Sequence, residues 1–373
     1  MRYLYKQSKN NFNALRHIAA FFVIVSHAFD IAENGENEPL RRLTGVDFSF
    51  SYLGLSSFFL ISGFLVTQSW IQKTSVKQYL FHRLLRIVPG LAVVVVLTIL
   101  VYGPLFTTLP LRTYFGNIET YLYLKNILIF QSQGHLPGVF AGIYPAPING
   151  SIWTLPYEML FYICVPLFSP ILFKTKLRSL VTGIAITLAV YWMLTNQEVA
   201  RMYSPKVNMY RGSLVLFLAF FMSGSFFYCY HENIRFRKDY FWIISLVYII
   251  VIASRDIILI KLLNPFLLGY MVFCLAFWPS PLNTFGKNRD LSYGIYIYAY
   301  PIQVMVIYYF NIQSAWFSLA ITLLLVMPLA MFSWNFIEKP ALKLRHMLKT
   351  PKLQRQIDVK SEHEVTWFNR EIM

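Results

Sequence analysis

The sequence predicts an all-α integral membrane protein: a single polytopic bundle of about ten transmembrane helices with both termini cytoplasmic. Composition, run length and charge placement all point there. Of the 373 residues, 57% are hydrophobic and only 13% charged, and the mean hydropathy is +0.50. A soluble globular chain carries about 25% charge. The apolar residues gather into runs that approach the roughly 20 residues needed to cross a bilayer. The basic residues collect between alternate runs.

Ten apolar runs lie near 14–32, 50–70, 88–108, 151–173, 179–196, 212–230, 240–254, 257–278, 291–310 and 314–336. Segments carrying Pro, Gly or charge separate most of them. The stretch 115–135, FGNIETYLYLKNILIFQSQG and its flanks, is too polar for a span and reads as an interfacial or re-entrant piece of the third loop. Residues 1–340 form the membrane domain in this reading, and 341–373 a charged cytoplasmic tail. The basic start (Arg2, Lys6, Lys9) runs straight into an apolar stretch, as a first anchor helix does.

The formal net charge of +16 raises the question of a nucleic-acid partner. Its distribution excludes one: there is no basic arm or soluble basic domain. Most of the 33 Lys and Arg instead fall in segments that an alternating chain places inside, whereas the first outer loop holds Glu33, Glu36, Glu38 and Asp47. That asymmetry orients the bundle. Cys164, Cys229 and Cys274 each sit in an apolar run, without metal-ligand spacing, and read as packing residues; no metal is expected.

Ionisable groups inside spans are costly, at about 2.5–3.5 kcal/mol for Arg, Lys or Asp on insertion scales, so each one present is a candidate. Arg16 and His27 share the first span. Eleven residues make three turns, which puts both on one face about 16 Å apart. Asp30, three residues on, is placed to orient the imidazole, and a buried neutral His27 can act as general base. Glu158 follows Asn149-Gly150-Ser151 into a span entered from outside, at a depth comparable to His27; Pro156 loosens the helix before it. Arg83 and Arg86, at i and i+3 near the inner end of the third span, present two guanidinium forks on one face, a geometry suited to phosphate. Tyr293, Tyr296, Tyr298 and Tyr300 read either as a sugar-binding wall or, by preference, as an interfacial belt.

These pieces also occur in a familiar order. NALRHIAAFFVIVSH, YLGLSSFFLISGFLV, HRLLRIVP, NGSIWTLPYEMLFY, LSYGIYIYAYPIQ and FIEKP together resemble the motifs of the bacterial membrane acyltransferase-3 family, from about Asn13 to Pro340. The chain departs from that pattern at Asn13 and Ser56, where acidic residues are usual, and at Ala299, where many members have a histidine. The resemblance implies an O-acyltransferase of the bacterial inner membrane. Such an enzyme moves an acyl group, most often acetyl, from cytoplasmic acetyl-CoA to a hydroxyl of an extracytoplasmic or lipid-linked surface sugar.

In that reading Arg83, Arg86 and Arg16 hold the acyl-CoA phosphates. His27 is the catalytic base, aided by Asp30 and Glu158. Asn149, Ser151, Trp153 and Tyr298 meet the sugar acceptor, and membrane lipids surround the bundle. A glycan or lipid transporter without acyl transfer is the competing class.

Overall fold

The computed structural model describes residues 10–345, apart from 34, 36, 73, 74, 142–146, 173–175, 205–207, 287 and 288. Arg2, Lys6, Lys9, Glu36 and most of the expected tail lie outside the described residues. A helix overlies each of the ten apolar runs. These are α1 (Phe12–Ala32), α2 (Phe50–Ile71), α3 (Val76–Leu97), α4 (Leu155–Leu172), α5 (Lys176–Thr195), α6 (Arg211–Tyr230), α7 (Lys238–Ala253), α8 (Ile257–Phe277), α9 (Ser292–Val304) and α10 (Ala315–Ser333).

Among the described residues, seven helical stretches are long and apolar enough to cross a membrane: those of α1, α2, α3, α4, α6, α8 and α10. Between residues 111 and 128 the chain forms only short helical pieces, Leu111–Gly116, Ile118–Leu122 and Tyr123–Leu128, too brief to span.

Helix starts follow local chemistry. The Ser49, Asp256 and Ser314 side chains accept from backbone N–H groups of the first turns of α2, α8 and α10, satisfying donors that a helix start leaves open. Two boundaries differ from the sequence reading. α3 begins at Val76 rather than near 88, because its polar residues His82, Arg83 and Arg86 face a cavity and the helix simply continues through them. Pro156 is the second residue of α4, where proline removes no helical bond. The irregular backbone expected there lies one turn earlier, in the 3-10 turn Gly150–Thr154.

Contacts at two levels fix the relative directions of the helices. Phe12 meets Phe64 and Phe22 meets Phe50, so α1 and α2 are antiparallel. Phe59 stacks on Phe217 and Thr67 bonds Ser225, so α2 and α6 are parallel. Arg86 meets Asp290 and Tyr102, just beyond α3, meets Pro301, so α3 and α9 are parallel. Arg16–Asp290 and His27–Tyr300 align α1 with α9.

Where helices approach most closely, glycine makes the room. A Cβ on Gly63 would sit 1.9 Å from the Phe221 carbonyl oxygen, and one on Gly224 would sit 2.0 Å from that of Leu60. Small residues at such crossings let membrane helices pack backbone to backbone.

At the centre is α9, whose residues from Ser292 to Val304 are all buried. Tyr293, Tyr296, Tyr298 and Tyr300 are therefore interior side chains rather than an interfacial belt. The reason is that α9 has helices, not lipid, on every side.

Candidate active site

Two layers of polar residues lie along α9. At its start, Oδ2 of Asp290 accepts from Arg16 at 2.5 Å and from Arg86 at 2.7 Å, while its Oδ1 accepts from the Ser292 hydroxyl at 2.6 Å. Burial works against the charge on Asp290, but Arg16 and Arg86 outweigh it and hold its carboxyl well below the usual range. Arg86 also lies 3.9 Å from Glu338, a buried carboxylate that accepts from Ser333.

Arg83 is disposed differently. It lies over the rings of Tyr79 and Tyr162 and reaches the Ser69 hydroxyl at 3.3 Å. Its Nε is buried without a hydrogen-bond partner, and among the described residues no carboxylate lies within ion-pair distance.

A cavity of about 200 Å³ opens against this layer. Arg16, Arg83, Arg86, Glu158 and Tyr162 line it, with Phe58, Phe59 and Leu55 on its apolar side. Glu158 accepts a short hydrogen bond from Tyr162, one turn further along α4. The sequence predicts Arg83 and Arg86 at the inner end of their span and Glu158 at the depth of His27; in the fold Glu158 lines the arginine cavity instead. Gly150 abuts Tyr300, beside His27, and Thr154 bonds Tyr296 at 2.6 Å. Glu158 is a further turn in, so it lies about 12 Å from the Gly150 level at helical rise.

His27 forms the second layer. Its ring packs edge-on against Tyr300 with centroids 4.9 Å apart, and the 200 Å³ cavity does not reach it. Nδ1 of His27 is 4.0 Å from Asp30, too far for a hydrogen bond. Asp30 is instead held by Arg41, at 2.6 Å. Arg41 sits in the short helix Pro39–Thr44, whose start is capped by the fully buried Glu38. Glu38 also accepts from Ser26 and from the Phe50 N–H, fastening this loop onto α1 and α2.

The four expected acceptor contacts separate. Asn149 is committed to structure: it donates to the Ile297 carbonyl at 2.9 Å and accepts from the Ser151 N–H at 3.1 Å. Ser151 is buried with its hydroxyl unpaired. Tyr298 lines neither the arginine cavity nor a second cavity between α2, α5, α6 and α8; it turns toward Ser333. Trp153 lines that second cavity.

Asp290, Glu338 and Glu38 escaped the sequence reading. Asp290 stands in a charged loop and Glu38 in an acidic one, and both look solvated there. Glu338 was legible only as part of FIEKP.

Comparison with known proteins bears on what these residues do. The chain is 28% identical over 366 residues to nodulation protein 10 of Rhizobium leguminosarum bv. viciae, covering 92% of this chain and 96% of that one. It is 29% identical over 337 residues to an O-acetyl transferase of Shigella phage Sf6, covering 88% and 95%. A shorter match, 27% over 155 residues, joins 38% of this chain to 24% of the peptidoglycan O-acetyltransferase OatA of Listeria monocytogenes. No solved structure matches. The pattern of the acyltransferase domain matches residues 9–334, including both arginine-bearing helices, His27 and Glu158. The chain is thus a multi-pass membrane enzyme belonging to the acyltransferase-3 family.

Proposed function

We propose that the protein moves an acetyl group from cytoplasmic acetyl-CoA to a hydroxyl of a surface sugar, either in a glycan or still linked to lipid, across a bacterial inner membrane. The observation that carries this reading is the polar line along α9. Arg16, Arg83, Arg86 and Arg345 border a cavity at one end, and His27 packs on Tyr300, ten residues and about 15 Å beyond Asp290. That separation suits a donor with an anionic head, a long thin arm and a reactive end.

Arg83, with Arg86 and Arg16 behind it, meets the phosphates of the donor. A cavity of about 200 Å³ is smaller than the 300–1,000 Å³ of a typical ligand pocket. It suits the arm, with the nucleotide remaining outside at the arginine mouth. Ten passes with both termini cytoplasmic put that mouth inside, and the shared direction of α1, α3 and α9 supports that alternation.

At the far end, His27 takes the proton from the acceptor hydroxyl as its oxygen attacks the thioester carbonyl, then returns a proton to the leaving thiolate. Asp30 sets the field beside the imidazole at 4.0 Å without bonding it. Glu158 holds Tyr162, and with it the ring on which Arg83 rests.

The test is mass spectrometry of surface polysaccharide from a deletion strain complemented with wild type or with His27→Ala, at equal membrane levels. Restoration of an acyl mass increment by the wild type alone supports the reading, and the increment names the group. If acylation is unchanged throughout while glycan export fails in the deletion, the protein is a transporter instead.

A further inference from the structure

The second cavity, about 470 Å³, lies between α2, α5, α6 and α8, on the side that the proposed topology makes outer. None of Arg16, Arg83 and Arg86 lines it. Its wall is amphipathic: Val190, Met193 and Leu194 of α5 are apolar, while Trp153, Tyr210 and Phe217 offer aromatic surface.

Three cations also line it, Arg41, Arg201 and Lys261, against one carboxylate, Asp47. Arg41 is already taken by Asp30 at 2.6 Å and Asp47 at 3.5 Å. Among the described residues, neither Arg201 nor Lys261 has a carboxylate within 4.0 Å. Lys261 is the fifth residue of α8, an ammonium group inside an apolar helix. Such groups in spanning helices face polar cavities and mark ligand paths.

This cavity also abuts the donor cavity. Leu55 lines both. Phe59, on the donor side, stacks on Phe217, on the outer side, with centroids 4.3 Å apart. In the turn Gly150–Thr154, Trp153 faces the outer cavity and Thr154 the donor cavity. One side-chain layer separates the two spaces.

Resting on the proposed acyl transfer, we infer that the outer cavity is the acceptor subsite and that it selects a saccharide bearing an oxyanion. Arg201 and Lys261 meet the anion, and Trp153 and Tyr210 supply faces for a sugar ring. The oxyanion has two possible sources, a phosphate joining sugar to lipid or a carboxylate on the sugar itself.

The test uses the full chain in detergent, wild type against the double variants R201Q/K261Q and R201E/K261E. Saturation-transfer NMR reads binding of glucose 1-phosphate, glucuronic acid and neutral glucose; acetyl-CoA binding is titrated separately. The wild type should bind at least one anionic sugar more tightly than glucose, and the glutamine variant should lose that preference about tenfold. The glutamate variant should exclude the anions, with acetyl-CoA affinity unchanged as proof of folding. Loss confined to glucose 1-phosphate assigns a phosphate, and loss confined to glucuronic acid a carboxylate. Equal binding of all three sugars, or a preference that survives both variants, overturns the proposal. Failure of acetyl-CoA to bind even the wild type would instead overturn the donor assignment.

Discussion

Arg86 donates to Oδ2 of Asp290 at 2.7 Å, joining α3 to the start of α9 across 204 positions of sequence. Arg83, one turn earlier on the same helix face, has no such carboxylate and rests on tyrosine rings. The paired arginines of HRLLRIVP therefore divide the work, one holding the bundle and one open to a ligand.

That division can be measured. Arg83→Ala should lower acetyl-CoA affinity about 10- to 100-fold, the loss expected of a charge-assisted hydrogen bond worth about 1.5–3 kcal/mol, with little change in Tm. Arg86→Ala should lower Tm markedly, since it leaves buried carboxylates uncompensated. Calorimetric titration and thermal unfolding of the detergent-solubilised protein separate the two; the opposite pattern would exchange their roles.

Asp290→Asn leaves two guanidinium groups without their shared acceptor and should destabilise the protein by about 3 kcal/mol. The pH dependence follows from the direction of the shift. A carboxylate held below its unfolded value, near 3.9, contributes fully above that value and loses its contribution as pH falls toward the folded one. The Tm gap between wild type and Asp290→Asn should be flat from about pH 8 to about pH 5 and narrow below about pH 4. A gap that closes near neutrality would contradict the assignment.

At the other layer, His27→Gln should abolish transfer while acetyl-CoA still binds. Tyr300→Ala removes the ring packed edge-on against the imidazole. An aromatic contact of this kind contributes about 0.5–1.5 kcal/mol, so kcat should fall up to about tenfold while donor affinity holds. Full activity of His27→Gln would end its role as base.

Gly63→Ala should prevent folding of the α2–α6 pair, because the added carbon would lie 1.9 Å from a backbone oxygen that no side-chain motion can clear. The expected readout is loss of the monodisperse peak on size exclusion. Gly183→Ala, whose new carbon meets nothing within 4 Å, is the control.

Much of this was written in the sequence. The positions of ten helices follow from apolar runs, and the shared face of Arg16 and His27 follows from helical period: both contact α9, at Asp290 and Tyr300. What eluded sequence reasoning depends on which partner a helix meets. Periodicity places Glu158 on a helix but not at a depth, so its distance from His27 came out too short. Tyr298 alternates out of the cavity into the α10 contact, which composition cannot reveal. Asp30 was assigned to His27 by proximity along the helix, whereas Arg41, eleven residues away, claims it. Asp290 and Glu38 looked like solvated loop acids until the fold buried them.

Burial of α9 along its whole length has a mechanical consequence. A helix with a lipid-facing side can shift or tilt by displacing acyl chains, which yield. α9 has no such side, and close-packed neighbours transmit displacement rather than absorb it. Asp290 at one end and Tyr300 at the other are thus stations on one enclosed rod. Whatever sets the height of that rod at the arginine cavity also sets the seat of the imidazole, on Tyr300, ten residues on.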